Sequence, residues 1–213
     1  SRKMKKNYLF LMFVIFLFAY FLRVMYLPKL ALTFGYDQAR DAYWSSEIAS
    51  GHLKVLGPPA STPGLYHGVF YYYVLAPAYL LGHGSPIVAA AWIALLNAGT
   101  VFIIFYFTYL LTKKPLAGLL SALVFAVSFE ASQYAVWLSN PTIAVWTVPL
   151  IYLGLWLWFK DKKSYGPVLV GFGLGLSIQA EVFLLYHTIP LLIWLWFNRN
   201  LLKRRDLSVF FIF

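Results

Sequence analysis

Long apolar runs, separated by short polar or basic stretches, dominate the chain from end to end. Several of them approach or exceed the roughly 18–20 residues that an α-helix needs to cross a bilayer, so the pattern predicts transmembrane helices. The predicted apolar segments are 8–27, 87–111, 116–136, 143–159, 168–179, 183–197 and a final run from residue 207. The segments 168–179 and 183–197 are short, which we interpret as tilted helices or local thinning of the bilayer. The expected fold is all-α, a polytopic bundle of about 6–7 transmembrane helices.

Composition supports a membrane protein and excludes a soluble globular fold. Hydrophobic residues make up 62% of the chain and charged residues 11%, and the mean hydropathy is +0.72. The net charge of +10 comes from basic residues grouped at the ends of apolar segments, so it does not indicate nucleic-acid binding. Cysteine is absent, which excludes a disulfide or a thiolate metal site. The expected partner of the whole chain is the lipid bilayer.

The basic residues predict the orientation of the chain in a plasma or inner membrane. Four of them precede the first span and no small-residue cleavage site follows it, which indicates an uncleaved anchor with a cytoplasmic N-terminus. If the Tyr-rich stretch 65–82 crossed the membrane, the basic loops 113–114 and 199–205 would be outside, against the positive-inside rule. We therefore expect 65–82 to lie at the outer face. This places the loop 28–86 on the extracytoplasmic side, with the four remaining basic residues, Arg23, Lys29, Arg40 and Lys54, at or in it.

That first extracytoplasmic loop carries three of the 7 acidic residues of the chain within eleven positions, at 37, 41 and 47. The pattern from residue 35 to 50 predicts an amphipathic helix in the interface plane, with Asp37 and Asp41 on one face at i,i+4 spacing. Charge is costly beside a membrane, so such a cluster indicates a functional site. The simpler interpretation is a solvated helix whose acidic and basic side chains pair locally.

Carboxylates held at the depth of lipid headgroups suit chemistry on a lipid phosphate. A carboxylate can act as general base on an acceptor hydroxyl. Cations such as Arg40, Lys54 or a protonated His67 are suited to hold phosphate oxygens and to stabilise a leaving group. Two carboxylates and a histidine also match the ligands of a divalent cation, so a metal set of Asp37, Asp41 and His67 is left open, with Mg²⁺ or Mn²⁺ as the ion.

Four motifs follow one another along the chain. They are Asp37-Gln38-Ala39-Arg40-Asp41, His67-Gly68-Val69-Phe70-Tyr71-Tyr72-Tyr73 with Ala76-Pro77, Trp137-Leu138-Ser139-Asn140-Pro141-Thr142, and Gly171-Phe172-Gly173-Leu174-Gly175-Leu176. In order and sidedness they resemble the first-loop acidic motif, the His-Gly/Pro-Pro-Leu-Tyr-Tyr segment, an outer turn and the small-residue helix of the GT-C superfamily. These are membrane glycosyltransferases that use polyprenyl-phosphate-linked sugars, among them protein mannosyltransferases and aminoarabinose transferase-like enzymes.

The resemblance implies inverting transfer of a sugar from a polyprenyl-phosphate donor to an acceptor (a glycan, lipid or protein) on the extracytoplasmic face. It implies that Asp37 is the catalytic base and that Asp41 has a supporting or ligand role. The expected substrate-binding residues are Arg40, Glu47, Lys54, His67, Tyr71, Asn140 and Glu181. Residues 1–213 would form one transmembrane module, the N-terminal catalytic portion of a typical member, and the C-terminal acceptor-binding part would be absent.

Two departures and two alternatives accompany this resemblance. The family often has a basic residue where this chain has Glu181, and the expected absence of the acceptor-binding C-terminal part leaves the acceptor unidentified. The sequence does not identify the sugar. A transporter or flippase fragment is the first alternative, with Glu130 inside an apolar helix and Glu181 on a translocation path. A non-catalytic scaffold subunit of a membrane complex is the second.

Overall fold

A computed structural model describes residues 6–29, 32–60 and 63–201, and this part of the chain is helical without a β-strand. Its α-helices are α1 (Lys6–Val24), α2 (Tyr36–Ala49), α3 (Phe70–Leu81), α4 (Pro86–Thr112), α5 (Pro115–Ala126), α6 (Phe129–Val136), α7 (Ala144–Phe159), α8 (Gly166–Ala180) and α9 (Thr188–Phe197). Short 3₁₀ helices cover Leu27–Lys29, Asn140–Ile143, Val182–His187 and Arg199–Leu201. The predicted all-α class is confirmed. The run from residue 207 lies outside the described residues.

Three helical stretches are long and apolar enough to cross a membrane, namely Lys6–Lys29, Pro86–Thr112 and Asn140–Phe159. A fourth span results if α5 and α6 are counted together. Helices α3, α8 and α9 are shorter, with 12, 15 and 10 residues. The predicted segment 183–197 is only partly α-helical, because its beginning belongs to the 3₁₀ helix Val182–His187. The described residues therefore contain three to four candidate spans.

The predicted continuous helix over 116–136 is wrong. The helix α5 ends at Ala126, and α6 leaves it at an angle of 57° after a break of two residues. The Ser128 hydroxyl caps the new helix by accepting a hydrogen bond from Ala131 N at 3.3 Å. Glu130 consequently lies exposed in the first turn of α6, where a negative charge is favourable, and not inside an apolar helix.

The chain divides into two compact units, Ser1–Leu53 with Tyr72–Trp146 and Lys54–Tyr71 with Thr147–Phe213. In the first unit, α1, α4 and α5 pack together around Ala98, Val101, Phe105 and Ala122. Gly118 permits the close approach of α4 and α5, since a Cβ there would lie 2.8 Å from the Phe105 carbonyl oxygen. The other side of α1 exposes large apolar side chains, as expected of a helix that faces lipid.

Arg23 joins the helices of the first unit at the end of α1. Expected at or in the outer loop, its side chain is instead only 2% exposed. Its Nε donates to Asn97 Oδ1 at 2.7 Å, and its Nη1 donates to the Ala126 carbonyl at 3.1 Å. The guanidinium also lies 5.1 Å from the centre of the Phe125 ring. Arg23 thus binds a carbonyl that the break after α5 leaves without a helical partner, and its bond to Asn97 joins α1 to α4.

In the second unit, α7 and α8 pack through small residues. A Cβ at Gly173 would lie 2.9 Å from the Ile151 side chain, and Gly154 is equally close to Val170. Beside this contact the Ser177 hydroxyl donates to Thr147 Oγ1 at 2.8 Å. The glycines of the 171–175 stretch therefore include one, Gly173, that serves helix packing.

Candidate functional site

The carboxylates of α2 are bridged by one arginine. Arg40 Nη1 lies 3.0 Å from Asp37 Oδ1, while its Nη2 and Nε lie 2.8 and 2.9 Å from Asp41 Oδ1. The i,i+3 spacing places Asp37 beside Arg40, and Asp41, the residue after Arg40, completes the group. The predicted helix over residues 35–50 is confirmed as α2, and its first turn carries Asp37, where a negative charge is favourable.

The two carboxylates share a helix face but differ sharply in exposure. The Asp37 side chain is 67% exposed, whereas that of Asp41 is 1% exposed. Within the described residues, no well-formed hydrogen bond reaches Asp41 Oδ2, although the Tyr72 hydroxyl is close enough to affect the pKa of this carboxyl. The buried Asp41 carboxylate thus sets the orientation of Arg40, and Arg40 in turn binds the exposed Asp37 carboxylate.

Burial determines the protonation of this group. It raises the pKa of Asp41 to about 6, against the opposing effect of the Arg40 charge and hydrogen bond. Burial alone would lower the pKa of Arg40, but the charge of Asp41 and its hydrogen bond, followed by the charge of Asp37, raise it above the ordinary value. Arg40 therefore remains a cation, and one guanidinium faces two carboxylates when both are ionised.

Tyr72 and Tyr79 of α3, which the sequence did not single out for this site, surround Asp41. Burial, and then the charge of Asp41, raises the pKa of both hydroxyls, that of Tyr79 to about 12. The Tyr72 ring also packs against Trp44, with ring centres 6.0 Å apart. Tyr72 and Tyr79 are seven residues apart on α3, about two helical turns, so they lie on the same face of the helix. This spacing could have indicated from the sequence that both tyrosines approach one residue, here Asp41.

The raised pKa of Asp41 predicts a titration close to neutral pH. The folded protein holds this proton more tightly than an unfolded chain, whose carboxyl titrates near 3.8. Its contribution to the free energy of unfolding therefore falls as the pH rises from 3.8 to about 6 and is constant above. In infrared difference spectra we expect a protonated carboxyl band with a midpoint at about pH 6, absent from Asp41→Asn.

Neighbouring substitutions should move that midpoint in opposite directions. Asp37→Asn removes a like charge and should lower it, whereas Arg40→Gln removes the stabilising cation and should raise it. A midpoint below pH 5, or one that neither substitution moves, would contradict the assignment.

The remaining charged candidates of the loop lie further along it. Glu47 Oε2 is 3.6 Å from His52 Nδ1, so an ion pair forms there when the histidine is protonated. Lys54 is half-buried and belongs to the second unit. Asn140 is buried, and the segment around it forms a break between α6 and α7 that contains the 3₁₀ helix Asn140–Ile143. The outer position of this turn stays a prediction.

A second group of candidate residues lines a cavity of about 440 Å³ in the second unit. His67 and Glu181 both face this cavity, and Tyr71 is fully buried at the start of α3. The stretch around His67 rests on the end of α8 through Gly68, where a Cβ would collide with the Gln179 backbone. Val69 N donates to Gln179 Oε1 at 3.2 Å. Gln179 is thus a cavity residue that the motifs did not indicate, although it directly precedes the turn at Glu181.

The part of the chain that the structure describes does not bring the metal set Asp37, Asp41 and His67 together. In the three described ranges, no three His, Cys, Asp or Glu side chains lie close enough to share a metal ion. The carboxylates of Asp37 and Asp41 are instead bound to Arg40. The structure thus brings Asp37, Arg40 and Asp41 together in one unit, and His67 and Glu181 around one cavity in the other.

The chain matches no protein-family model, no curated protein and no solved structure.

Proposed function

We propose that this chain is the catalytic module of an inverting membrane glycosyltransferase of GT-C type. It transfers a sugar from a polyprenyl-phosphate donor to an acceptor on the extracytoplasmic face, with Asp37 as general base. The observation that carries the proposal is the arginine-bridged pair in α2, in which one carboxylate is exposed and the other is buried. Its support from sequence is the ordered set of motifs that resembles the family.

The proposed chemistry follows from the difference in exposure between Asp37 and Asp41. The exposed Asp37 is accessible to an acceptor hydroxyl and takes up its proton, while the hydroxyl oxygen attacks the anomeric carbon of the donor. The bond from that carbon to the phosphate oxygen breaks, and polyprenyl phosphate leaves with the bonding electrons. Attack from the face opposite the leaving group inverts the anomeric centre.

Arg40 and Asp41 position the base in this proposal. Asp41 binds Arg40 through two nitrogens, so the guanidinium is held rigidly against Asp37. Because Arg40 is engaged by both carboxylates, the charge that develops on the leaving phosphate requires another cation. Lys54 and His67 remain the proposed candidates for that role, with Glu47, Tyr71, Asn140 and Glu181 as further proposed substrate contacts.

The proposal includes the finer topology, with 6–7 spans, a cytoplasmic N-terminus and the loop 28–86 outside in a plasma or inner membrane. Because the chain contains no cysteine, single-cysteine variants report sidedness without background. In sealed vesicles, Ser50→Cys in the loop and Lys113→Cys after α4 should react with an impermeant maleimide from opposite sides. Labelling of both from one side would overturn the predicted orientation.

The direct test of function is transfer from a radiolabelled polyprenyl-phosphate sugar by the purified protein, wild type against Asp37→Asn. Transfer that survives the substitution would remove Asp37 from the role of base. A chain that releases sugar from no such donor would favour the transporter or scaffold alternatives. These have less support, because Glu130, on which the transporter depends, is exposed in the first turn of α6, and Glu181 lies at the end of α8.

A further inference from the structure

Arg23 is a buried cation that the proposed reaction does not use. Among the described residues, no carboxylate lies within ion-pair distance of it. Its four hydrogen bonds go to neutral acceptors, and the one from Nη2 to the Phe125 carbonyl is long, at 3.4 Å. A guanidinium carries five N–H groups, so one of them has no acceptor in the described part of the chain.

The helix end that Arg23 caps compensates only part of its charge. The carbonyls at the C-terminus of α5 carry the equivalent of about half a negative charge. Arg23 also lies in the last turn of α1 and donates to the Ala19 carbonyl of that helix at 2.9 Å, so its partners are helix-end carbonyls and Asn97, without a full negative charge among them. Ionised side chains within membrane helices pair with one another or with backbone carbonyls. The N–H of Arg23 that has no acceptor in the described residues is therefore suited to one further acceptor, and an anion satisfies both this donor and the positive charge.

The position of Arg23 along α1 indicates where that anion comes from. Lys6 and Arg23 are separated by about 26 Å along the helix axis, at 1.5 Å per residue. The hydrocarbon core of a bilayer is about 30 Å thick, so with Lys6 at one interface Arg23 lies near the other. Lipid phosphate groups are at that depth.

A groove of about 530 Å³ opens beside the guanidinium between the end of α1 and α6. The residues with polar side chains that line it are Arg23, Tyr26, Ser132 and Gln133. Its apolar lining includes Val127 and Phe129, which are 54% and 72% exposed and offer a surface for an acyl chain. The exposed Glu130 side chain does not line the groove.

We infer that this groove binds an anionic phospholipid of the surrounding leaflet, with its phosphate beside Arg23 and Gln133 and an acyl chain along Val127 and Phe129. An anionic lipid fits better than a zwitterionic one, because the latter brings a compensating ammonium with its phosphate. The site is separate from the carboxylates of α2 and does not depend on the proposed transfer reaction.

The test is native mass spectrometry of the purified chain in a non-ionic detergent with one added lipid at a time. The lipids are phosphatidylglycerol, phosphatidylcholine, a polyprenyl phosphate and diacylglycerol. Phosphatidylglycerol should bind most tightly. The variant Gln133→Glu, whose side chain is exposed, places a negative charge in the groove without altering Arg23 and should weaken that binding by about tenfold.

The matched control is Ala131→Glu, which adds the same charge to α6 at a position that does not line the groove. It should leave the affinity for phosphatidylglycerol within about twofold of wild type. Equal weakening by both variants, or an unchanged affinity in Gln133→Glu, would overturn the site. Equal binding of diacylglycerol would exclude phosphate recognition, and a preference for polyprenyl phosphate would replace the phospholipid with the carrier of the proposed donor.

Discussion

Asp37→Asn is expected to lower sugar transfer by about a thousandfold, because general-base catalysis by a positioned side chain typically contributes a factor of this order. Asparagine has nearly the same shape but cannot accept the acceptor's proton at neutral pH. The fold should be unaffected, because the Asp37 side chain is 67% exposed and Arg40 keeps its contacts with Asp41. The measurement is the initial rate with a radiolabelled polyprenyl-phosphate sugar, alongside the thermal unfolding midpoint.

Two variants make this result specific. Asp37→Glu keeps the carboxylate and should retain more activity than Asp37→Asn. Glu130→Gln removes an exposed carboxylate outside the α2 group and should transfer at the wild-type rate. A similar loss in Glu130→Gln would show that the effect is not specific to the α2 carboxylates, and more than a tenth of wild-type transfer in Asp37→Asn would contradict the base assignment.

Arg23→Leu is expected to have the largest effect on stability, about 3 kcal/mol, because it removes the donors of several buried acceptors at once. Asn97 Oδ1 and the Ala126 carbonyl would lose their bonds to Arg23 in a region away from water. For a chain of this length, such a change should lower the unfolding midpoint by roughly 6–12 °C. The measurement is thermal unfolding in detergent, followed by the loss of monomer on size-exclusion chromatography.

A matched arginine provides the control. Arg199 is exposed and also lies over an aromatic ring, with its guanidinium carbon 4.8 Å from the centre of Trp196. Arg199→Leu should change the free energy of unfolding by less than about 0.5 kcal/mol. If Arg23→Leu unfolds at the same temperature as Arg199→Leu, the buried hydrogen bonds do not stabilise the helix break.

The features that the sequence predicted well depend on neighbours within a few residues. The helix α2 is within one residue of its predicted bounds, because Gly35 and Gly51 flank a stretch of helix-forming residues. The pairing of Asp37 with Arg40 was also foreseen, since residues three apart on a helix are adjacent. Apolar length alone was sufficient to identify the stretches 6–29 and 86–112 as candidate spans.

The features that the sequence missed depend on distant contacts. The run 116–136 was predicted as one segment from its apolar length, although Ser128 followed by Glu130 is a pattern typical of a helix N-terminus. The break is stabilised by Arg23, more than a hundred residues earlier in the chain, which binds the carbonyl that α5 leaves free. The position of Arg23 next to the end of α1 suggested an exposed loop residue, because a local pattern does not report what packs against it.

The sequence by itself therefore determined that the chain is a helical membrane protein and that two carboxylates and an arginine share one short helix. Only the tertiary structure decided that Asp41 is buried against Tyr72 and Tyr79 while Asp37 is exposed. The physical reason is that helical spacing sets which side chains share a face, whereas burial depends on residues that the fold brings from elsewhere. That difference in burial distinguishes the proposed base from the carboxylate that positions it.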